Sequence, residues 1–371
     1  MAKSKERKLY KIGYLTQLLG ITHRSIRYYD QYGLLPHVKR SSGNVRLFDD
    51  EDVALIKKIR KLQREEFLPL DVIRDRLYGK RSGEPSLDKV VITDSTALLS
   101  PESLENLPIE VVPLTIHIGD EEYLDGKNIN SPELWEKSKG LSVPTSTAPP
   151  SEEVFEKIYA SYIRKGYKEI YSIHLSSRLS QTVKNAQTAA HRVGDRIKVH
   201  VIDSKSTGAG LGLLVKQVAE SIQAKHSSGE IEVLISKMIP MVFDIMTVNS
   251  LKFLAARDVP TDSFSPTALL NKLLDFKPVM TLKNGELEIL ACHQTKKEAI
   301  DAMFALLEHE IIVRGNYAKQ ISVIYNYMYG EALDLINRIK QQYHMIPIFM
   351  AEGSSVLSAY VGNESIGISI I

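Results

Sequence analysis

Apolar positions are spaced in two different ways along this chain, and the change falls near residue 90. In "YKIGYLTQLLGITHRSIRYYDQYGLL", Ile12, Leu15, Leu18 and Leu19 recur at helical spacing. Gly20 supplies a turn, and Thr22 is placed to cap a second helix that carries Ile26 and Tyr29 inward. This pattern predicts a helix–turn–helix whose second helix turns His23, Arg24, Arg27 and Tyr28 outward. "HVKRSSGNVRLF" holds two β-prone pieces around Ser41-Ser42-Gly43-Asn44, a hairpin or wing carrying Lys39, Arg40 and Arg46. Asp49 is placed to cap "EDVALIKKIRKLQREE", and Pro69 opens "PLDVIRDRLYG", which ends near Gly79.

From Val90 the runs become short and β-branched. "VVITDSTALL", "EVVPLTIHIG", "EIYSIHLSS" and "VHVIDSKS" read as strands, with helical stretches such as "SEEVFEKIYASYIRKGY" and "SQTVKNAQTAAHRV" between them. Strand, loop and helix in repetition predict a parallel sheet covered by helices. Ligands of such sheets bind at the loops leaving the carboxyl ends of the strands. Here "DSTALL", "VPTSTAPPS", "HLSSRLSQT" and "DSKSTGAGLG" are all rich in hydroxyls. Hydroxyls beside a helix N-terminus suit an anion, because they donate hydrogen bonds without adding charge. A single serine there is more often only a cap. Two such loops on neighbouring strands point to a shared site.

Hydrolytic chemistry is not expected. There is no G-x-S-x-G elbow, and His174, three residues before Ser177, has no evident carboxylate to orient it. "STGAGLG", with glycines at 208, 210 and 212, fits neither nucleotide-binding pattern and reads as close packing of a helix on the sheet.

The length of 371 residues implies two or three domains, and 43% apolar with 25% charged residues is ordinary for a soluble protein. No run of about 18 apolar residues predicts a membrane span. "MAKSKERKLYK" is basic without an apolar stretch behind it and is not a secretory signal. Cys292 is the one cysteine, which excludes an internal disulfide and fits a reducing cytoplasm. No Cys/His spacing predicts a metal, and no cofactor is implied. Charge is uneven: residues 1–81 carry a net +9 and the remainder a net −7. The basic end is the side expected to meet a polyanion.

The ordered blocks "SIRYYDQYGLLP", Arg46 with Phe48, and "FDDEDVALIKKI" resemble the MerR family of transcriptional regulators, from Tyr10 to about Gly79. The resemblance implies a winged helix–turn–helix over residues 1–79 whose DNA face holds Thr16, His23, Arg24, Arg27, Tyr28, Lys39, Arg40 and Arg46. Val45 stands where the family has a wing tyrosine, and Phe67 where it has a glycine. Only a short linker, residues 80–89, follows. A homodimer on a two-fold operator would therefore draw its contact mostly from the rest of the chain.

From about Val90 to the C-terminus the chain resembles the DegV family, bacterial proteins that bind a fatty acid. "ITDSTALLSPE", "VPTSTAPPSEEVF", "SIHLSSRLSQTVKNA", "VIDSKSTGAGLG", "LLNKLLDFKPVMTLKNGEL" and "VLSAYVGNESIGISI" carry the likeness in order. It implies two α/β lobes, residues 90–230 with carboxylate-binding loops and residues 231–371 with the pocket for the acyl tail. The family's Thr-Ser-Gln-Pro becomes Ser146-Thr147-Ala148-Pro149, and its Ser-Ser-x-x-Ser-Gly-Thr becomes Ser176 to Thr182 with Gln181 for the glycine. Ser146 and Ser177 are the implied carboxylate donors, with Thr147, Ser176, Arg257 and Tyr360 beside them. Ser180 and Thr182 are left as helix caps. Tyr360 falls where kinase-presenting members have a His-x-Gly-Pro-Gly, and Ala255-Ala256-Arg257 replaces a Gly-Gly-Arg. "MVFDIMTVNSLKFL" and "ALLNKLLDFKPVM" offer apolar side chains at helical spacing for the tail.

These readings combine into a ligand-responsive regulator, not an enzyme. It would bind a double-stranded DNA operator through its first domain and a long-chain fatty acid or acyl derivative through the second. The alternatives are a carrier presenting lipid to a kinase or other enzyme, with an accessory DNA-binding head, and a ligand-free dimerisation module.

Overall fold

The computed structural model describes residues 9–36, 38–40, 46–65, 70–78, 88–139, 145–250, 276–315 and 318–371. They form two compact units, one of Met1–Ser86 with Ala160–Gly166 and the other of Leu87–Tyr159 with Tyr167–Ile371.

In the first unit, β1 (Tyr10–Lys11) runs into α1 (Ile12–Leu19), which stops at Gly20 in the left-handed region, φ 58°. The second helix, α2 (His23–Gln31), is capped by Thr22, whose hydroxyl accepts from Ser25 N at 3.1 Å. Strands β2 (Lys39–Arg40) and β3 (Arg46–Phe48) pair antiparallel, giving a sheet of order β1-β3-β2. The turn of the expected wing, residues 41–45, lies outside the described residues. Asp49 caps α3 (Asp50–Glu65) by accepting from Glu51 N and Asp52 N at 3.0 and 3.1 Å. After it comes α4 (Leu70–Tyr78), while Pro69 and Gly79, read as its start and stop, are not described. Leu15, Ile26, Tyr29, Leu34, Phe48, Ile56, Ile59 and Ile73 make the core. Leu18, expected in the buried stripe, is instead 50% exposed. Leu15 and Leu19 form one i,i+4 row and Tyr14 and Leu18 another, and only the first row meets the core.

The larger unit opens with β4 (Lys89–Asp94), β5 (Ile109–Val112), β9 (Glu169–His174) and β10 (Lys198–Asp203), all parallel in the order β10-β9-β4-β5. The run "EVVPLTIHIG" was expected as one strand. It splits at Pro113, which has no N–H to give a ladder. Its second half is β6 (Thr115–Ile118), which joins β7 (Glu121–Leu124) and β8 (Ser146–Ala148) in a separate antiparallel sheet. The helices of this part are α5 (Pro101–Asn106), α6 (Ser131–Ser138), α7 (Glu152–Arg164), α8 (Thr182–Val193), α9 (Gly208–Gln223) and α10 (Ser228–Met238). Helices α9 and α10 bury Leu211, Leu214, Val218, Ile231 and Ile235 against Tyr171 and Ile173. Close packing explains the glycine run: a Cβ on Gly212 would stand 2.1 Å from the Leu98 carbonyl oxygen.

A six-stranded mixed sheet follows, in the order β13-β12-β11-β16-β14-β15. Its strands are β11 (Phe243–Val248), β12 (Lys277–Lys283), β13 (Glu286–His293), β14 (Ile321–Asn326), β15 (Ile348–Glu352) and β16 (Ser365–Ile370). Its helices are α11 (Lys296–Val313), α12 (Tyr329–Gln342) and α13 (Ser355–Val361). The helical spacing read in "MVFDIMTVNSLKFL" and at the end of "ALLNKLLDFKPVM" is therefore corrected. β11 packs Phe243 and Ile245 into one apolar cluster and Met246 and Val248 into another, and a strand apolar on both faces loses its alternation and looks like a piece of apolar helix. Residues 251–275, Arg257 among them, lie outside the described residues. Asn284 and Gly285, at φ 53° and 87°, make the two-residue turn between β12 and β13. Among the described residues no helix is long and apolar enough to cross a membrane, and no His/Cys/Asp/Glu group is placed to hold a metal.

Candidate functional site

Two of the expected site residues meet directly. Thr147, on β8, donates its hydroxyl to the phenolic oxygen of Tyr360, on α13, at 3.1 Å. Tyr360 also packs at the edge of two apolar clusters. One of these is built by β11, β12, β13 and α13 from Val248, Met280, Leu287, Ile289 and Val361, with Met246, Leu282 and Cys292 beside them. Ser146, next to Thr147, is exposed. A polar hydroxyl pair thus borders a buried apolar cluster that includes Met246 and Met280.

The other hydroxyl loop is already engaged. Ser176 is fully buried: its N–H donates to the Ser206 carbonyl at 2.8 Å and its hydroxyl to the Gly285 carbonyl at 2.7 Å. Ser177 faces outward and gives its single hydroxyl hydrogen to Asp203 Oδ2, while its N–H donates to Oδ1 at 3.2 Å. Lys205 N and Nζ hold the same carboxylate at 3.0 and 2.7 Å. Burial alone would raise Asp203, but the bonds from Lys205 and Ser177 hold it below the ordinary carboxylate range. Ser177 was expected as a donor to a ligand carboxylate; its hydroxyl hydrogen is given to a carboxylate of the protein. Arg178 reaches Glu286 Oε1 at 3.2 Å. Ser180 accepts from Thr182 N at 3.3 Å just before α8, but the cap position is Gln181, which makes no side-chain cap bond, and Thr182 is already the first helical residue, so neither is the cap expected. Asn185 on α8 donates to the Pro150 carbonyl at 2.9 Å and so ties this loop's helix to the loop after β8.

His174 does have a carboxylate, a partner the sequence did not reveal. Its Nδ1 lies 3.2 Å from Asp94 Oδ2, and its Nε2 lies 2.7 Å from the Ser172 hydroxyl. Asp94 and His174 lie 80 residues apart and meet only because β4 and β9 are neighbours in the parallel sheet. The one signal in the sequence was the Asp-Ser-Thr that ends the first strand. All three side chains are fully buried, so the Asp–His–Ser line presents no accessible nucleophile.

Another acidic group is held by serine hydroxyls. Asp244, on β11, accepts from the Ser206 and Ser369 hydroxyls, both at 2.5 Å. Desolvation outweighs these bonds and pushes its pKa up to about 6.

In the N-terminal unit, α2 exposes His23 and Arg27 and half-buries Tyr28, which stacks on Tyr32 at 5.5 Å. Tyr29 is buried as expected and bonds Gln63 at 2.8 Å. Thr16 donates to the Gly13 carbonyl at 2.7 Å, and Lys39 is exposed on β2. Arg46 is held by Asp30 at 2.5 Å, so one edge of its guanidinium is engaged within the unit. The side chains of Arg24 and Arg40 lie outside the description.

Comparison with known proteins agrees with both parts. The model of the MerR helix–turn–helix regulatory family matches residues 10–80, and that of the DegV family of uncharacterised proteins matches residues 89–371. A DegV domain-containing protein of Clostridium perfringens is 28% identical over 290 residues, covering 75% of this chain and 97% of the relative. One of Deinococcus radiodurans is 31% identical over 210 residues, covering 57% and 73%. Among solved structures, a fatty acid-binding DegV family protein of Streptococcus agalactiae aligns with TM-score 0.69 at 18% identity, covering 76% of this chain and 98% of its own. DegV of Bacillus subtilis, a fatty acid-binding protein, aligns with TM-score 0.68 at 24% identity over the same shares. The chain belongs to the DegV family and carries a MerR-type helix–turn–helix ahead of its DegV domain.

Proposed function

We propose that the protein is a DNA-binding regulator that senses a long-chain fatty acid or acyl derivative in the reducing cytoplasm. The observation that carries the ligand half is the Thr147–Tyr360 hydroxyl pair set against the apolar cluster of Met246, Met280 and Leu282. A fatty acid needs donors at one end and dry apolar surface along the rest. Each buried methylene contributes about 0.8 kcal/mol before the costs of binding, while the head loses water and regains charge-assisted hydrogen bonds. Ser146, Thr147 and Tyr360 supply hydroxyls from one side. Ser177 supplies one from the other by exchanging Asp203 for the ligand carboxylate, while Ser176, buried and bonded to the Gly285 carbonyl, anchors the loop behind it.

The DNA half rests on the exposed His23, Arg27 and Lys39 and on the half-buried Tyr28, together with Thr16, Arg24, Arg40 and Arg46. Cations on a helix and its wing grip phosphates and read base edges. The working form is a homodimer on a two-fold operator, with dimer contacts from the DegV domain. Ligand acts by favouring one arrangement of the two DNA-binding heads over another. Denaturing mass spectrometry of the purified full chain tests the ligand half: a long-chain acyl species is expected to co-purify. Protein that carries no lipid and fails to take up palmitate overturns it.

A further inference from the structure

Tyr159, Ser172, His174 and Asp94 form one line of hydrogen bonds in which every member is fully buried. Asp94 gathers four donors: Thr96 N at 3.1 Å, the Thr96 hydroxyl at 2.5 Å, Leu175 N at 2.9 Å and His174 Nδ1 at 3.2 Å. A carboxylate so surrounded is the acceptor of the line, so His174 carries its proton on Nδ1 and leaves Nε2 to accept from Ser172. The Ser172 oxygen, 2.7 Å from the Tyr159 phenol, in turn accepts the phenolic hydrogen. Burial pushes the Tyr159 phenol up and keeps it a donor. Phe155 closes one side of the imidazole, edge to face at 5.0 Å. The order Asp–His–Ser is that of a hydrolase, but the Ser172 hydrogen is directed at His174 and nothing from solvent reaches its oxygen.

What the line holds is backbone. Asp94 is the last residue of β4 and fixes the loop after it through Thr96. Through the Leu175 N–H it also fixes the residue immediately before Ser176, whose own N–H is tied to the Ser206 carbonyl. We propose that Asp94 and His174 are positioning residues for the Ser176–Ser177 loop, setting how its donors face a ligand carboxylate. This rests on the fatty acid reading of that loop. Headgroup bonds are directional and weaken with small displacements, whereas contact with an acyl tail tolerates them. The two residues therefore govern discrimination for the carboxylate more than grip on the chain.

The test compares the affinity of the full chain for palmitate with that for its methyl ester, which keeps the tail and lacks the charge. Wild type is expected to prefer palmitate. Asp94→Asn and His174→Ala are each expected to lower that preference by about tenfold. His174→Asn, whose amide N–H can take the place of Nδ1–H, is expected to retain most of it. If Asp94→Asn does not fold, the two His174 variants decide. Variants that lose melting temperature while the palmitate-to-ester ratio stays at the wild-type value overturn the positioning role alone. Wild type that binds neither lipid overturns the fatty acid reading and the positioning role with it.

Discussion

Thr147 and Tyr360 stand 213 residues apart in the chain and share a hydrogen bond of 3.1 Å. One comes from a short antiparallel strand and the other from the helix before the last strand. The tyrosine ring lies against apolar side chains of three other strands, so its hydroxyl marks where polar and apolar linings meet. An amphipathic ring with a polar tip suits that border.

Removing only the hydroxyls should therefore separate head from tail. Tyr360→Phe and Thr147→Val are each expected to weaken palmitate about three- to tenfold, as loss of a single hydrogen bond does. Affinity for the methyl ester should change far less. Displacement of a fluorescent fatty acid measures both.

Asp244 makes stability depend on pH. Its folded pKa is about 6 against an ordinary 3.8, so the folded state holds the proton more tightly than the unfolded one. Stability contributed by this group is therefore present at acid pH and lost as pH rises through about 6. Asp244→Asn removes the titration. The stability of the variant relative to wild type should rise between about pH 4 and pH 7 and then level off. Urea unfolding at a series of pH values checks this; a difference that stays flat contradicts the shift.

Gly212 has no room for a side chain. Gly212→Ala places a methyl 2.1 Å from the Leu98 carbonyl oxygen, a backbone atom that must move. Loss of at least about 1–3 kcal/mol in denaturant unfolding is expected. Gly229, with nothing near its Cβ position, should accept alanine without penalty from contacts and serves as the control.

The N-terminal unit was legible because its signals are local. Gly20, Thr22 and Asp49 stop or start helices through bonds to residues within four positions, and their roles follow from residue type. The parallel sheet was legible from its β-branched runs and hydroxyl loops. What escaped depends on partners distant in sequence. Asp94 and His174 become a pair only when β4 and β9 are neighbours. β11 passed for helical surface because both its faces carry apolar side chains, Phe243 and Ile245 on one and Met246 and Val248 on the other. Ser177 was read as a donor to the ligand alone because nothing local tells that β10 ends in Asp203 beside it.

Arg27 is exposed on the second helix, and the proposed DNA-binding role has it meet phosphate. Arg27→Ala is expected to weaken DNA binding across sequences and to lower the slope of log affinity against log salt by about one. Arg46, tied to Asp30, should show a smaller effect on the slope. Fluorescence anisotropy on duplex DNA over a range of salt concentrations separates the two.

The central claim is that one chain couples an acyl ligand to DNA. The most direct measurement is the affinity of the delipidated full chain for the duplex it selects from a random library, taken with and without palmitate at fixed salt. The account predicts a shift of about fivefold or more, the size of a modest coupling between two sites. An affinity unchanged by saturating palmitate, in protein shown to have bound it, would contradict the account.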